Sequence, residues 1–230
     1  MLELAPEGFE EAEERDTYKL AAYTDAAGEA RIRAVFAVVS TAAVADDWPD
    51  RWKQFHRPVL AGGVWVTPPW EPQRHGLSIT IDPGRAFGTG AHPTTRLSLE
   101  LLSELPRGSL LDVGCGSGVL AIAGARLGFA PVLGLDRDEQ AVEAARRNAA
   151  VNAVAVEFRR LDAVTGDLPR AQVALANISD RLVDAIAPRL DCDLFVSSGY
   201  FEYHVPELRG FRRRERRTLE GWAADLHERE

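Results

Sequence analysis

Gly114-Cys115-Gly116-Ser117-Gly118 is the segment of this 230-residue chain with the clearest chemical capacity. The apolar run Leu110-Leu111-Asp112-Val113 leads into it, and the helical pattern Val119-Leu120-Ala121-Ile122-Ala123 leaves it. Strand, glycine turn and helix in that order bring backbone N–H groups close to a ligand, and the helix N-terminus favours negative charge there. The next apolar run, Pro131-Val132-Leu133, ends at Gly134-Leu135-Asp136 and sets a carboxylate where a ribose diol would lie. Together these features point to a ligand that carries a nucleoside. A nicotinamide dinucleotide fits less well, because the third glycine of its fingerprint would fall at position 119, which is Val119.

Other candidates lie on both sides. Ile81-Asp82-Pro83-Gly84-Arg85-Ala86-Phe87-Gly88-Thr89-Gly90-Ala91-His92-Pro93-Thr94-Thr95 holds too many glycines and prolines for regular structure. It is either a linker ending in a helix cap at Thr94 or Thr95, or a lid in which Phe87 excludes water and Thr95 bonds a ligand carboxylate. Its length and composition favour the lid. Asn177 ends an apolar run and either pins that strand end, caps the next helix or faces a reacting group. Asp162 either bonds an adenine amine or starts the turn to Thr165-Gly166. Asp112 suits ordering the glycine turn, or meeting a ligand amino group, better than proton transfer. His92 holds the loop or touches substrate. No convincing Ser-His-Asp or metal-ligand constellation stands out.

Glycines at 114, 116 and 118 with Asp112 ahead of them resemble motif I of the class I S-adenosylmethionine (SAM)-dependent methyltransferases. That resemblance implies that Gly114 and Gly116 face the methionine part of SAM and that Asp136 takes both ribose hydroxyls. Asp82-Pro83-Gly84, Ala86-Phe87-Gly88-Thr89-Gly90, His92-Pro93-Thr94-Thr95 and Ala176-Asn177-Ile178 narrow it further. With the glycine turn, these segments are similar to the ribosomal protein L11 methyltransferases, over roughly residues 46–200. The likeness implies SAM as cofactor, with Thr95, Gly114, Asp136 and Asn177 as contacts. It also implies lysine or N-terminal amines of a protein as acceptor, with Asn177 where the methyl group meets them. The chain departs from the pattern at Ala91, where a second His is common, and at Tyr200-Phe201, where smaller aliphatic residues are usual. About forty-five residues precede Asp46, so the family's substrate-gripping N-terminal domain is expected in reduced form.

These residues need a scaffold. Strands are expected near 109–114, 131–136, 154–159, 172–177 and 192–198, and helices near 94–105, 118–127, 138–151 and 180–188. The alternation predicts an α/β fold, a doubly wound, mostly parallel seven-stranded sheet. The tail, 211–217 and 219–226, has no helix between its runs and is expected as an antiparallel edge hairpin. Upstream, 18–23 reads as a strand, Asp25-Ala26-Ala27-Gly28 as a turn and 32–40 as a strand or short helix. A helix is expected from Asp46 through Phe55, and Val64-Trp65-Val66-Thr67 as a strand. The division expected is 1–45 as a recognition appendage, 46–76 as linker and 77–230 as the methyltransferase domain.

Composition bounds the reading. A 46% hydrophobic chain of this length can bury one core of about 150 residues and a smaller appendage. No run of eighteen apolar residues and no secretory pattern occurs, so a cytoplasmic protein without a membrane span is expected. Cys115 and Cys192 read as buried and reduced. A net charge of −8 disfavours nucleic-acid binding and suits a basic protein partner. The Arg212 to Arg217 run is expected as a solvated face, and Trp48, Trp52, Trp65 and Trp70 as packing. A nucleobase acceptor is disfavoured, because that class carries Asn-Pro-Pro-aromatic where this chain has Asn177-Ile178-Ser179-Asp180. A small-molecule acceptor, or a non-catalytic SAM-binding protein, is the alternative.

Overall fold

The computed structural model describes residues 9–14, 17–22, 26–36, 39, 57–82 and 90–230. They fall in two compact units, Met1–Trp48 and Pro49–Glu230. In the first, β1 (Phe9–Glu14) pairs antiparallel with β2 (Thr17–Ala22), and α1 (Ala26–Val35) follows. Ala26-Ala27-Gly28, expected with Asp25 as a turn, instead begin α1, which takes the helical option for the segment after them. Alanine is the strongest helix former, and Glu29 and Arg33 form an i,i+4 ion pair at 2.7 Å, so helix outcompetes turn here. The helix expected after Asp46, with Trp48 and Trp52, lies outside the described residues, as does Phe87.

The second unit opens with a small sheet of β3 (Val59–Ala61), β4 (Val64–Thr67) and β5 (Ser78–Thr80). Of these only β4 is legible in the sequence; three-residue strands carry too little alternation to register. Then α2 (Pro93–Glu104), β6 (Leu110–Val113), α3 (Val119–Leu127), β7 (Val132–Asp136), α4 (Glu139–Val151) and β8 (Glu157–Arg160) alternate. β9 (Ala171–Asn177), α5 (Asp180–Ile186) and β10 (Cys192–Phe201) continue the pattern, and β11 (Phe211–Leu219) with β12 (Trp222–Arg229) closes it.

The large sheet has the order β11-β12-β10-β9-β6-β7-β8; β8, β7, β6, β9 and β10 run parallel, β12 pairs antiparallel with β10, and β11 pairs antiparallel with β12. All four residues of β6 are buried, as expected of a strand covered on both faces. One apolar layer joins the small sheet, α2, α3 and α4 to the large sheet, and the other gathers α5, Phe195 and Phe211 against its opposite face. The chain leaves β6 toward β7 and β8, then returns to β9 on β6's other side. The crevice at this reversal is where doubly wound sheets bind ligands. Register brings Val113 beside Leu135 on one side and Ala176 on the other, so the carboxyl ends of the three strands meet.

Candidate active site

A cleft of about 660 Å³ opens at that junction. The glycine turn forms one end, with Gly114, Gly116 and Gly118 at φ of +74°, +52° and +81°, a region closed to most side chains. Gly118 is the left-handed N-cap of α3. A Cβ on Gly114 would come within 2.4 Å of Ile178 Cγ2, so cleft floor and turn touch only because the residue is glycine.

Asp136 lines the cleft at the end of β7. Its Oδ2 accepts from Gly116 N and its Oδ1 from Asp138 N, each at 3.0 Å. Each oxygen keeps a further lone pair, which is the requirement for holding a diol. Asp162 also lines the cleft, and of the two roles expected of it the turn is observed: its Oδ1 accepts from Val164 N at 2.9 Å. Leu161, Ala163 and Val164 supply an apolar wall beside it, and Arg137, next to Asp136, also lines the cleft.

Asn177 lines the cleft at the end of β9. Its Nδ2 donates to Thr95 Oγ1 at 3.2 Å. Its Oδ1 is buried and has no hydrogen-bond partner among the described residues. A buried acceptor without a donor costs about 1–3 kcal/mol, so this oxygen is suited to receive an N–H from a ligand. Thr95 itself is fully buried behind Asn177 and does not line the cleft.

The expectation about capping is revised. The N-cap of α2 is His92, whose Nδ1 accepts from Thr94 N at 3.4 Å and lies 2.8 Å from Thr94 Oγ1. Pro93 takes the first helical position, where a missing N–H costs nothing, and this carries Thr94 and Thr95 into the first turn. Burial lowers the His92 pKa, partly opposed by Glu220. Asp112 does not line the cleft. It is buried, and its Oδ2 accepts from Ala121 N at 3.1 Å, tying the strand to the first turn of α3. Burial pushes its carboxyl up to about 7, and the nearby Asp136 charge adds to the rise. Cys115 and Cys192 are buried free thiols, and burial pushes the Cys192 pKa up to about 12.

Two residues that shape the site, one lining it and one bracing the segments around it, are not among the candidates above. Trp222, the first residue of β12, lines the cleft and meets the His92 ring edge-on at 4.8 Å. Its place directly after the hairpin turn Glu220-Gly221, beside a strand that ends in the site, was the available signal. Asn148 is buried on α4 and bridges three segments. Its Nδ2 donates to Ser117 O at 2.9 Å, its Oδ1 accepts from Asp82 N at 3.0 Å, and Asn152 makes the matching pair with Thr80. Two asparagines at i,i+4 on the apolar face of a helix were the legible clue. Among the described residues, no group of three His, Cys, Asp or Glu side chains is placed to hold a metal ion.

A nucleoside-sized cleft at the reversal point of a seven-stranded sheet with an antiparallel edge hairpin defines a Rossmann-like methyltransferase fold. The donor set fits SAM: a carboxylate with lone pairs to spare, glycine N–H groups, an apolar wall and an unpaired carboxamide oxygen. The family model of the ribosomal protein L11 methyltransferase (PrmA) matches residues 9–203. A ribosomal protein L11 methyltransferase of Caldicellulosiruptor saccharolyticus is 37% identical over 172 residues, 70% of this chain and 57% of its own length. Its counterpart from Thiobacillus denitrificans is 41% identical over 172 residues, 72% of this chain and 57% of its own. The crystal structure of a ribosomal protein L11 methylase from Lactobacillus delbrueckii subsp. bulgaricus superposes with a TM-score of 0.67 at 25% identity. That match covers 76% of this chain and 99% of the other. The chain belongs to the ribosomal protein L11 methyltransferase family. It spans 57%, 57% and 52% of the length of three curated relatives it matches.

Proposed function

We propose that this chain is a SAM-dependent methyltransferase that modifies lysine or N-terminal amines of a protein, with ribosomal protein L11 as the acceptor that its relatives' names suggest. The observation that carries the reading is the unpaired Asn177 Oδ1 in a cleft built for a nucleoside. When bound, SAM supplies an electrophilic methyl group on its sulfonium. Asp136 would hold the ribose diol, Gly114 and Gly116 would face the methionine part, and Asp162 would meet the adenine. Phe87 would close the cleft against water. Asp112 would keep the glycine turn in place through Ala121.

An amine must be neutral to attack. Deprotonating a lysine at pH 7 costs about 4–5 kcal/mol and an N-terminal amine about 1 kcal/mol. Removal from water lowers an ammonium pKa, and the apolar wall at Leu161, Ala163, Val164 and Ile178 provides that environment. Asn177 Oδ1 would accept an N–H of the neutral amine and aim its lone pair, with Thr95 fixing the carboxamide through Nδ2. Catalysis is then chiefly orientation at near-attack distance. Residues 1–45 would be the recognition appendage, 46–76 the linker and 77–230 the methyltransferase domain. A ribosomal-protein acceptor would place the reaction in the cytoplasm.

The test combines purified ribosomal protein L11, labelled SAM and either the native chain or Asn177→Ala. Label on L11, with kcat lowered about 10²–10³-fold by Asn177→Ala, is expected if Asn177 orients the nucleophile. SAM binding without any label on L11 would remove L11 as acceptor.

A further inference from the structure

Three aromatic rings run outward from the cleft in a continuous stack. Trp222 lines the cleft, Phe201 stacks on it at 4.4 Å and Tyr203 stacks on Phe201 at 5.4 Å. Phe201 and Trp222 are register partners across β10 and β12, so the inner contact is fixed by strand pairing. The outer two rings face solvent, Phe201 at 45% and Tyr203 at 80% exposure. A continuous apolar patch on a surface, reaching the wall of a cleft, marks an interaction site.

The stack is held rigid. His204 N donates to Phe201 O at 3.0 Å, and Glu202 N donates to Gly221 O at 2.8 Å. From behind, Arg216 donates to the carbonyls of Glu202 and His204 at 3.3 and 2.6 Å. Arg216 is in turn held at 3.0 Å by both oxygens of the fully buried Asp225. A surface ordered before binding loses little entropy on binding, and aromatic rings concentrate binding energy.

Charge indicates the partner. Glu202, between Phe201 and Tyr203 in the sequence, is exposed, Asp180 lies 3.8 Å from Nδ1 of the following His204, and the chain carries a net charge of −8. Rings flanked by carboxylates fit long cationic side chains, whose stems lie on the rings and whose heads meet the acids.

We infer that the Trp222-Phe201-Tyr203 stack is a docking surface for the basic polypeptide segment next to the amine being methylated. This inference rests on the proposed protein-amine activity. It makes Phe201 and Tyr203 specificity residues that bind the acceptor chain without touching the reacting atoms.

The test measures direct binding of purified ribosomal protein L11 to the full chain by calorimetry, with SAM affinity and methyl transfer measured in parallel. It uses the native chain, the Phe201→Ala/Tyr203→Ala double variant and the conservative Phe201→Tyr/Tyr203→Phe pair. L11 binding at least tenfold weaker in the double alanine variant is expected, with SAM affinity within twofold and binding restored in the conservative pair. Where label is transferred, KM should rise with kcat held. L11 binding within twofold of native in the double alanine variant overturns the inference, as does a native chain that does not bind L11. Binding that depends on the rings but brings no methyl transfer supports the docking surface and counts against the proposed activity alone.

Discussion

Asp136 carries two tasks with one carboxylate, since it closes the glycine turn through Gly116 N and offers its remaining lone pairs to the cleft. Asp136→Ala should weaken SAM binding by about 1–3 kcal/mol, the cost of leaving the diol unpaired. Calorimetric titration of the folded variant checks it, and unchanged affinity would remove Asp136 from the cofactor site. Asp112 shows the opposite use of the same group. Its folded pKa is raised from 3.8 to about 7, so the folded state holds its proton more tightly than the unfolded chain does. The stability from this carboxyl is therefore complete below about pH 4 and is lost as pH rises through 7. Asp112→Asn keeps an oxygen for Ala121 N and has no charge to bury. Its melting temperature relative to the native chain should climb between pH 4 and 7 and level off above; a pH-independent difference would show that Asp112 is charged throughout.

At the scale of elements, the edge hairpin of β11 and β12 is more than a solvated flap. A charge run on an edge strand, such as Arg212 to Arg217, is expected to form a solvated face. Arg216 instead pairs bidentately with Asp225, which is fully buried and also accepts from Tyr200 Oη at 2.8 Å. Ser197 Oγ joins Tyr200 Oη and His227 Nε2 at 2.8 and 2.9 Å, so a satisfied polar network fills the strand interface. Arg216→Met would leave the Asp225 charge buried with Arg213 at 3.8 Å as the nearest cation, and should cost about 3–5 kcal/mol in urea unfolding. Adding Asp225→Asn should recover part of that loss. No recovery would mean that the guanidinium matters through packing. Such pairings are invisible in one sequence because Arg216 and Asp225 meet only through register, and the register shifts between Arg213 and Glu215. The bulge at Gly199 has the same character: at φ +103° a Cβ there would lie 2.0 Å from Ile178 O. By contrast β6, β7, α3 and α4 were legible, since each is a long apolar run or a 3.6-period pattern with its cap residue in place.

For the whole molecule, the central parallel sheet followed from alternation alone, and the nucleoside site followed from the glycine turn and Asp136, which are contiguous with their strands. The rest of the cleft was less legible, because His92, Asn177 and Trp222 come from three distant parts of the chain and converge only in the folded sheet. The two compact units suggest a division of labour that can be measured. Among the described residues, all that line the cleft, both apolar layers and the hairpin network fall within 49–230. A chain of residues 49–230 should therefore unfold cooperatively and bind SAM with the native affinity. If the proposed division holds, its binding to ribosomal protein L11 should fall at least tenfold, because residues 1–48 no longer add their contacts to those of the aromatic stack. The remaining affinity should drop further as salt rises, since a basic partner approaching a chain of net charge −8 is drawn by screened electrostatics. Equal L11 affinity for the shortened and full chains would assign recognition entirely to the sheet unit and leave the first unit without a part in it.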